Sequence, residues 1–159
     1  MAKYVIVKMI ESQTIGSTFN SGKWPLHVTI IPNFEIKWDY KKLNSELEAV
    51  VNSCSQVRTV ANTDDLFGPD KDIPVTRLEL RPELAKIHTT IVEFLENNDA
   101  KFELPIILKE NYKPHITIQG SARVNTGDSI NIDELSIVDK EVGGNSSLRK
   151  VLGVVKLTK

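Results

Sequence analysis

Cysteine is almost absent from this sequence, because Cys54 is the only one among 159 residues. A disulfide within the chain is therefore excluded, and a single thiol is typical of a reducing compartment. Charge of one sign is also lacking, since 20 basic and 21 acidic residues leave a net charge of −1. A protein that grips a long nucleic acid usually has a basic surface, so this composition argues against one. A small nucleotide or a single RNA end is still compatible with it.

Long hydrophobic runs are missing as well. Residues 1–10 carry Lys3 and Lys8 in a strand-like pattern, which fits neither the apolar part of a secretory signal nor a membrane span. Hydrophobic residues make up 40 % and charged residues 26 %, as in ordinary globular chains. We therefore expect a cytoplasmic protein that does not bind membranes. A single domain over residues 1–159 and a monomeric state are also expected.

The hydrophobic pattern predicts an α+β fold. Apolar residues recur at helical spacing from Tyr40 to about Cys54, after the potential cap Asp39, and again from Arg81 to Asn97. Short β-branched runs predict strands at 4–10, 27–31, 56–61, 76–80, 115–119, 129–138 and 148–157. The order gives two similar halves, each with strands around one helix, rather than the strict alternation of a parallel sheet.

Two polar stretches are predicted to be loops. Residues 11–24 are rich in Ser, Thr, Gly and Asn and lead directly to His27, so they could form the rim of a cleft or a plain connection. Residues 62–74 contain four aspartates, and their spacing does not match a calcium-binding loop. We expect this acidic segment to be a solvated turn.

Two stretches share one pattern of histidine, aliphatic residue, threonine and aliphatic residue. They are His27-Val28-Thr29-Ile30 and His115-Ile116-Thr117-Ile118. Because successive side chains of a strand point to opposite faces, the polar pair of each copy should face a cleft while the aliphatic pair enters the core. Ile31 and Gln119 are expected on the same faces as the histidines.

Two histidines on opposite walls of a cleft suit phosphodiester chemistry. One could take a proton from the attacking oxygen and the other could give one to the leaving oxygen. Each threonine hydroxyl could donate to a phosphate oxygen, where charge grows in the transition state. Two unrelated strands with half-buried histidines would be the simpler reading of either copy alone, but the duplication argues against it.

A metal site is a weaker interpretation of the same residues. Zinc usually takes three or four protein ligands, and no carboxylate lies beside either motif. His88 falls at the edge of an apolar helical stripe, which indicates a structural histidine, and Cys54 is expected to pack. Four residues flank the motifs and could bind substrate through base stacking or phosphate contacts: Lys23, Trp24, Tyr112 and Lys113. The two aromatic residues could instead lie at the rim of the core.

The paired motifs resemble the 2H phosphoesterase superfamily, and within it the 2'-5' RNA ligase-like RNA cyclic phosphodiesterases. The second copy, 112–118, is very similar to that branch's second motif, whereas Leu26 separates proline from histidine in the first. Family members often have an arginine soon after the second threonine. Here 119–121 is Gln-Gly-Ser, and Arg123 comes later. The resemblance implies a bilobal, duplicated fold in which two antiparallel sheets flank a central cleft with helices outside.

The resemblance also implies an activity. It is the metal-independent hydrolysis of a ribose 2',3'-cyclic phosphate on an RNA end or a nucleotide, without a cofactor. His115 would be the base, His27 the acid, and Thr29 and Thr117 the phosphate contacts. The reverse reaction would join RNA ends through a 2'-5' bond. Two alternatives are a non-catalytic RNA-end or nucleotide-binding module and a 2H enzyme acting on 2'-5' oligonucleotides or cyclic ADP-ribose phosphate.

Overall fold

A computed structural model describes residues 1–158 as ten strands and two α-helices. The helices are α1 (Tyr40–Val51) and α2 (Pro82–Asn97). The strands are β1 (Ala2–Met9), β2 (Thr18–Asn20), β3 (His27–Ile36), β4 (Val57–Phe67), β5 (Ile73–Leu78), β6 (Lys101–Phe102), β7 (His115–Thr117), β8 (Ser129–Ile132), β9 (Glu134–Asp139) and β10 (Leu148–Lys156). Short 3-10 turns lie at Pro105–Ile107 and Lys109–Asn111. The predicted α+β class is confirmed.

The strands form one continuous antiparallel sheet in the order β2-β10-β9-β1-β3-β7-β5-β4-β8, and β6 also pairs with β3. The resemblance implied two sheets, one in each half. In the structure the two halves are joined into one sheet where β3 pairs with β7. That junction is narrow: its one aligned pair is Val28 with Ile116. The two motif strands are consequently neighbours at the centre of the sheet. Neither helix within residues 1–158 has the length and apolarity needed to cross a bilayer.

Both helices pack against one face of the sheet. Asp39 caps α1 through its side chain, which accepts a hydrogen bond from the amide of Lys42, and Pro82 opens α2. The buried stripes of the two helices share one cluster with Val28, Ile30 and Ile116 of the motif strands. The aliphatic residues of the motifs therefore anchor the main core, as predicted, and their histidines and threonines lie on the opposite face.

Strand β3 is longer than its sequence indicates. Proline was expected to end it, yet β3 continues through Pro32 to Ile36. Its register with β1 shifts twice, since Ile6 pairs with Ile31 and the next residue, Val7, pairs with Thr29. Extra residues of this kind form bulges, and bulges accommodate proline. The bulge also turns Ile31 into the main core, so the prediction that it shares the histidine face is wrong.

A smaller apolar cluster lies on the other face of β1, β9 and β10, and contains Val5, Val7, Met9, Val138 and Val151. Two aromatic side chains from the polar loop before the first motif, Phe19 and Trp24, pack on it. The loop also contributes β2, which pairs with β10. Residues 11–24 therefore contact the sheet in two ways, through the pairing of β2 with β10 and through the packing of Phe19 and Trp24.

Several boundaries differ from the sequence prediction because pairing partners lie far away in sequence. The expected acidic loop 62–74 is mostly a hairpin, in which β4 pairs with β5 from Ala61–Leu78 to Phe67–Ile73. The expected strand 129–138 is two strands, because β8 pairs with β4 whereas β9 pairs with β1 and β10.

Candidate active site

The pairing of β3 with β7 brings the two motifs together. Since Val28 aligns with Ile116 in antiparallel directions, the register places His27 beside Thr117 and Thr29 beside His115. All four side chains point away from the main core and are partly exposed. We call the side of the sheet that carries these four residues the cleft face. The structure thus groups the four predicted catalytic residues on one surface.

Both histidine rings are fixed by the same local hydrogen bond. His27 Nδ1 lies 2.9 Å from the carbonyl oxygen of Pro25, and His115 Nδ1 lies 2.8 Å from that of Lys113. A carbonyl oxygen only accepts, so each Nδ1 must carry the proton and donate it. In the neutral ring, Nε2 is then the unprotonated nitrogen, and it is available to accept or, once protonated, to donate a proton.

The surroundings favour the neutral form of both rings. Burial lowers the pKa of His27 below the ordinary histidine value, and the nearby His115 lowers it further. Burial also lowers the pKa of His115, and the positive charge of Arg77 acts in the same direction. The hydrogen bonds to the two carbonyl groups oppose these effects only in part.

An aromatic side chain packs on each histidine. The Trp24 ring lies 4.4 Å from that of His27, between centroids, and Phe19 supports Trp24 at 4.8 Å. Phe67, at the end of β4, meets the His115 ring edge-on at 4.6 Å. Trp24 was predicted as a flanking residue. Phe67 was not, because it is 48 positions from its histidine and only the hairpin register brings it there.

The other predicted flanking residues divide into two groups. Lys23 and Lys113 are exposed just before the motif strands, where a substrate could reach them. Tyr112 is only 7 % exposed, and its hydroxyl donates to the carbonyl oxygen of Thr29 at 2.8 Å. A base-stacking role does not fit a ring in this position. The prediction for Tyr112 is corrected to support of the motif strand from behind.

The third histidine belongs to that same support. His88 is 1 % exposed, its Nδ1 donates to the carbonyl oxygen of Ile30 at 2.7 Å, and its Nε2 accepts from the amide of Lys109 at 2.9 Å. Its ring stacks on that of Tyr112, with centroids 4.0 Å apart and planes 4° apart. Both ring nitrogens are therefore occupied within the protein, as expected of a structural histidine.

One charged residue of the cleft face was not predicted from the sequence. Arg77 of β5 pairs with His115 of β7, so their side chains point to the same side of the sheet. Its Nη1 lies 3.5 Å from Asp65 Oδ2 of the adjacent strand, and its side chain is 39 % exposed. Alternation along β5 could assign Arg77 to a face, but no local signal reveals which strand lies beside it.

Arg123, the arginine that follows the second motif, lies elsewhere. Its Nη2 donates to Asp64 Oδ1 at 2.8 Å and lies 3.4 Å from Thr76 Oγ1. Asp64 and Thr76 pair with each other one position from Arg77, so they point away from the cleft face. The hydrogen bond from Arg123 lowers the pKa of Asp64. Part of the acidic segment is therefore an ion pair behind the sheet rather than a plain solvated turn.

A small cavity adjoins the site between the two halves. Its volume is about 230 Å³, and its lining includes Trp24, Pro25 and Gln119. Gln119 crosses between the halves, because its Nε2 donates to the carbonyl oxygen of Trp24 at 2.7 Å. No group of three or more His, Cys, Asp or Glu side chains within residues 1–158 is arranged to hold a metal ion.

This geometry places two histidines and two threonines together on one face of the sheet. A family model described as the 2'-5' RNA ligase superfamily matches residues 16–132, which is more than half of the chain and includes both motifs. The chain belongs to this superfamily, as the paired motifs predicted. No curated protein matches it by sequence.

Solved structures show the same fold at low sequence identity. A structure titled as a phosphoesterase is 13 % identical over 99 % of both chains, with a TM-score of 0.61. LigT of E. coli in complex with NADP+ is 11 % identical over 99 % of this chain and 98 % of its own, with a TM-score of 0.60. LigT in complex with 3'-AMP is 13 % identical over the same shares, with a TM-score of 0.55.

Proposed function

We propose that this protein is a metal-independent cyclic phosphodiesterase that hydrolyses a ribose 2',3'-cyclic phosphate, on an RNA end or on a nucleotide, in the cytoplasm. The observation that carries the proposal is that the two histidine rings make the same hydrogen bond and therefore share one tautomer. Both use Nδ1 to donate to a main-chain carbonyl oxygen, so both have Nε2 free on the face that also carries two threonines. The nucleotide complexes of LigT support a nucleotide as substrate.

The proposed reaction is an in-line displacement at phosphorus. His115 Nε2 takes a proton from water as the water oxygen bonds to phosphorus. The bond from phosphorus to one ribose oxygen breaks, and protonated His27 gives that oxygen its proton. Thr29 and Thr117 donate hydrogen bonds to the non-bridging oxygens, which gain charge. The product is a ribose phosphomonoester, and both histidines have exchanged protonation states.

One electrostatic feature fits the role of His115. Burial and the positive charge of Arg77 both disfavour its charged form, and a general base must start neutral. His27 must start charged to act as the acid, and its role in the proposal follows from the family resemblance. Reversal of the reaction, with the roles exchanged, would form a 2'-5' bond between RNA ends.

Turnover of a defined substrate tests the proposal. The purified protein, with excess EDTA, is incubated with adenosine 2',3'-cyclic phosphate and with a short RNA that ends in a 2',3'-cyclic phosphate. Phosphorus NMR is expected to show conversion to a phosphomonoester at the rate seen without EDTA, since no proposed step needs a Lewis acid. Binding without turnover would instead support a non-catalytic module. Activity that EDTA abolishes and zinc or magnesium restores would contradict the mechanism.

A further inference from the structure

Arg77 lies next to His115 in the sheet. Residues paired across antiparallel strands have Cβ atoms about 5 Å apart, so the guanidinium of Arg77 extends over the cleft face from the strand beside the motif. The charged residue nearest to His115 along the chain is Lys113, which precedes the motif strand and is exposed. Thr117 is followed by the uncharged Gln119 and Gly120, and Gln119 is bound to the main chain of Trp24. Arg77 therefore brings a permanent positive charge to this part of the cleft face.

The hydrogen-bonding capacity of Arg77 is mostly unused. Within residues 1–158 its ion-pair partner is Asp65, at 3.5 Å, which is longer than a strong charge-assisted hydrogen bond. Arg123 provides the contrast, since its Nη2 donates to Asp64 at 2.8 Å and its Nε to the carbonyl oxygen of Val124 at 2.9 Å. A guanidinium has five N–H donors, so Arg77 can be oriented by Asp65 and still present a fork to an anion.

The motifs themselves lack a fixed charge for a phosphate. Thr29 and Thr117 donate neutral hydroxyl groups, and the histidine pair is charged only when it holds a proton. A phosphodiester carries one negative charge, and more charge gathers on its oxygens during the displacement. A guanidinium stays charged throughout the physiological pH range and matches the geometry of phosphate oxygens.

We propose that Arg77 binds a phosphate oxygen of the substrate in the cleft and that Asp65 orients the guanidinium for this contact. The inference rests on the proposed function for the identity of the substrate, but anion binding at Arg77 can be measured without turnover. Arg77 would act in binding and in stabilising the charged transition state, beside the two threonines.

Binding of inorganic phosphate tests the anion contact directly. Amide NMR titrations compare the wild type with Arg77→Gln and Arg77→Lys. In Arg77→Gln the Kd for phosphate should rise about ten-fold or more, because one charge-assisted hydrogen bond is lost. The rise should be smaller in Arg77→Lys, because lysine keeps the positive charge. Arg81→Gln is the matched control, because Arg81 also pairs at 3.5 Å with a carboxylate, Glu79, at similar exposure but outside the cleft. Its Kd should equal that of the wild type.

The outcomes separate this inference from the proposed function. Phosphate binding that is equal in the wild type and Arg77→Gln, or no phosphate binding near β5 and β7 in the wild type, would overturn the role of Arg77. Binding that depends on Arg77, in a protein that turns over no cyclic phosphate, would contradict the proposed function and leave the anion contact standing. Where the wild type is active, kcat/KM of Arg77→Gln should fall about ten- to a hundred-fold, with partial recovery in Arg77→Lys.

Discussion

Replacing His27 or His115 with alanine is expected to lower kcat/KM for a nucleoside 2',3'-cyclic phosphate by about 10²- to 10⁴-fold, the usual contribution of one positioned acid or base. Each substitution removes one of the two Nε2 atoms proposed to transfer protons, whose rings are oriented by the Nδ1 hydrogen bonds. Both side chains are only partly buried on the cleft face, so the variants should fold. Initial rates at several substrate concentrations measure the effect.

The double variant and the third histidine sharpen this test. Removing both motif histidines should cost much less than the product of the single losses, because the two groups act in one step. His88→Gln is the control, and its turnover should stay within a few-fold of the wild type. Its melting temperature should fall, since His88 makes one buried and one partly buried hydrogen bond. A fully active His27→Ala or His115→Ala protein would contradict the mechanism, as would a comparable loss in folded His88→Gln.

Replacing Thr29 or Thr117 with valine is expected to reduce kcat about ten- to a thousand-fold, the upper figure being the value of one oxyanion donor. Valine keeps the β-branched shape and the strand preference of threonine, so the change removes the hydroxyl and little else. Because the hydrogen bond strengthens as charge gathers on the phosphate oxygens, the loss should appear in kcat more than in KM. Steady-state kinetics separate the two.

Thr18→Val provides the matched control for the threonines. Thr18 is also a strand threonine, but it is exposed in β2 and pairs with Lys150 at the edge of the sheet, away from both motifs. Its kinetic constants should equal those of the wild type. If Thr29→Val and Thr117→Val behaved in the same way as this control, the two motifs would be ordinary strand sequence with no phosphate contact.

Features of the structure that depend on residues close together in the chain could be predicted from the sequence. The helix from Pro82 to Asn97 has a proline start and a clear apolar stripe, and its predicted span agrees with the structure. The alternation of His27, Val28 and Thr29 correctly placed the aliphatic residue in the core and the polar pair outside it. Both features depend on residues within a few positions of one another, which is the range that periodicity covers.

The missed features depend on strand register between distant segments. Arg77 and Phe67 meet His115 only because β5 pairs with both β7 and β4, and nothing in their own neighbourhoods specifies those partners. Ile31 does not lie on the predicted face, because β3 contains bulges. These bulges are seen only in the register between β3 and β1. Pairing over such separations is a property of the whole sheet, so a single sequence gives it no local sign.

Tyr112 illustrates a different limit. Its position before the second motif fitted a ring that stacks on a base, and a place at the core rim was the alternative. The structure favours burial, because the ring of His88 in α2 stacks on it and its hydroxyl reaches the carbonyl oxygen of Thr29. An aromatic residue with one polar atom suits both a wet rim and a hydrogen-bonded interior, and only the packing partners decide between them.

Two-histidine acid–base catalysis can be tested by the pH dependence of kcat/KM on a nucleoside 2',3'-cyclic phosphate. The reactive free enzyme has one proton on the histidine pair, so the rate should rise and then fall with pH. Burial lowers the pKa of both histidines, and their mutual repulsion makes the second proton harder to add. The optimum should therefore lie on the acid side of about 6.5, the ordinary histidine pKa.

The measurement is a rate series with the wild-type protein from about pH 4 to 9, with EDTA present, at constant ionic strength. The two limbs belong to the coupled pair rather than to either histidine alone. Two-histidine catalysis predicts a bell-shaped curve of kcat/KM against pH, in which both limbs are histidine titrations with pKa values below the ordinary one. A rate that is constant across this range, or one that rises steadily to alkaline pH without a second limb, would contradict it.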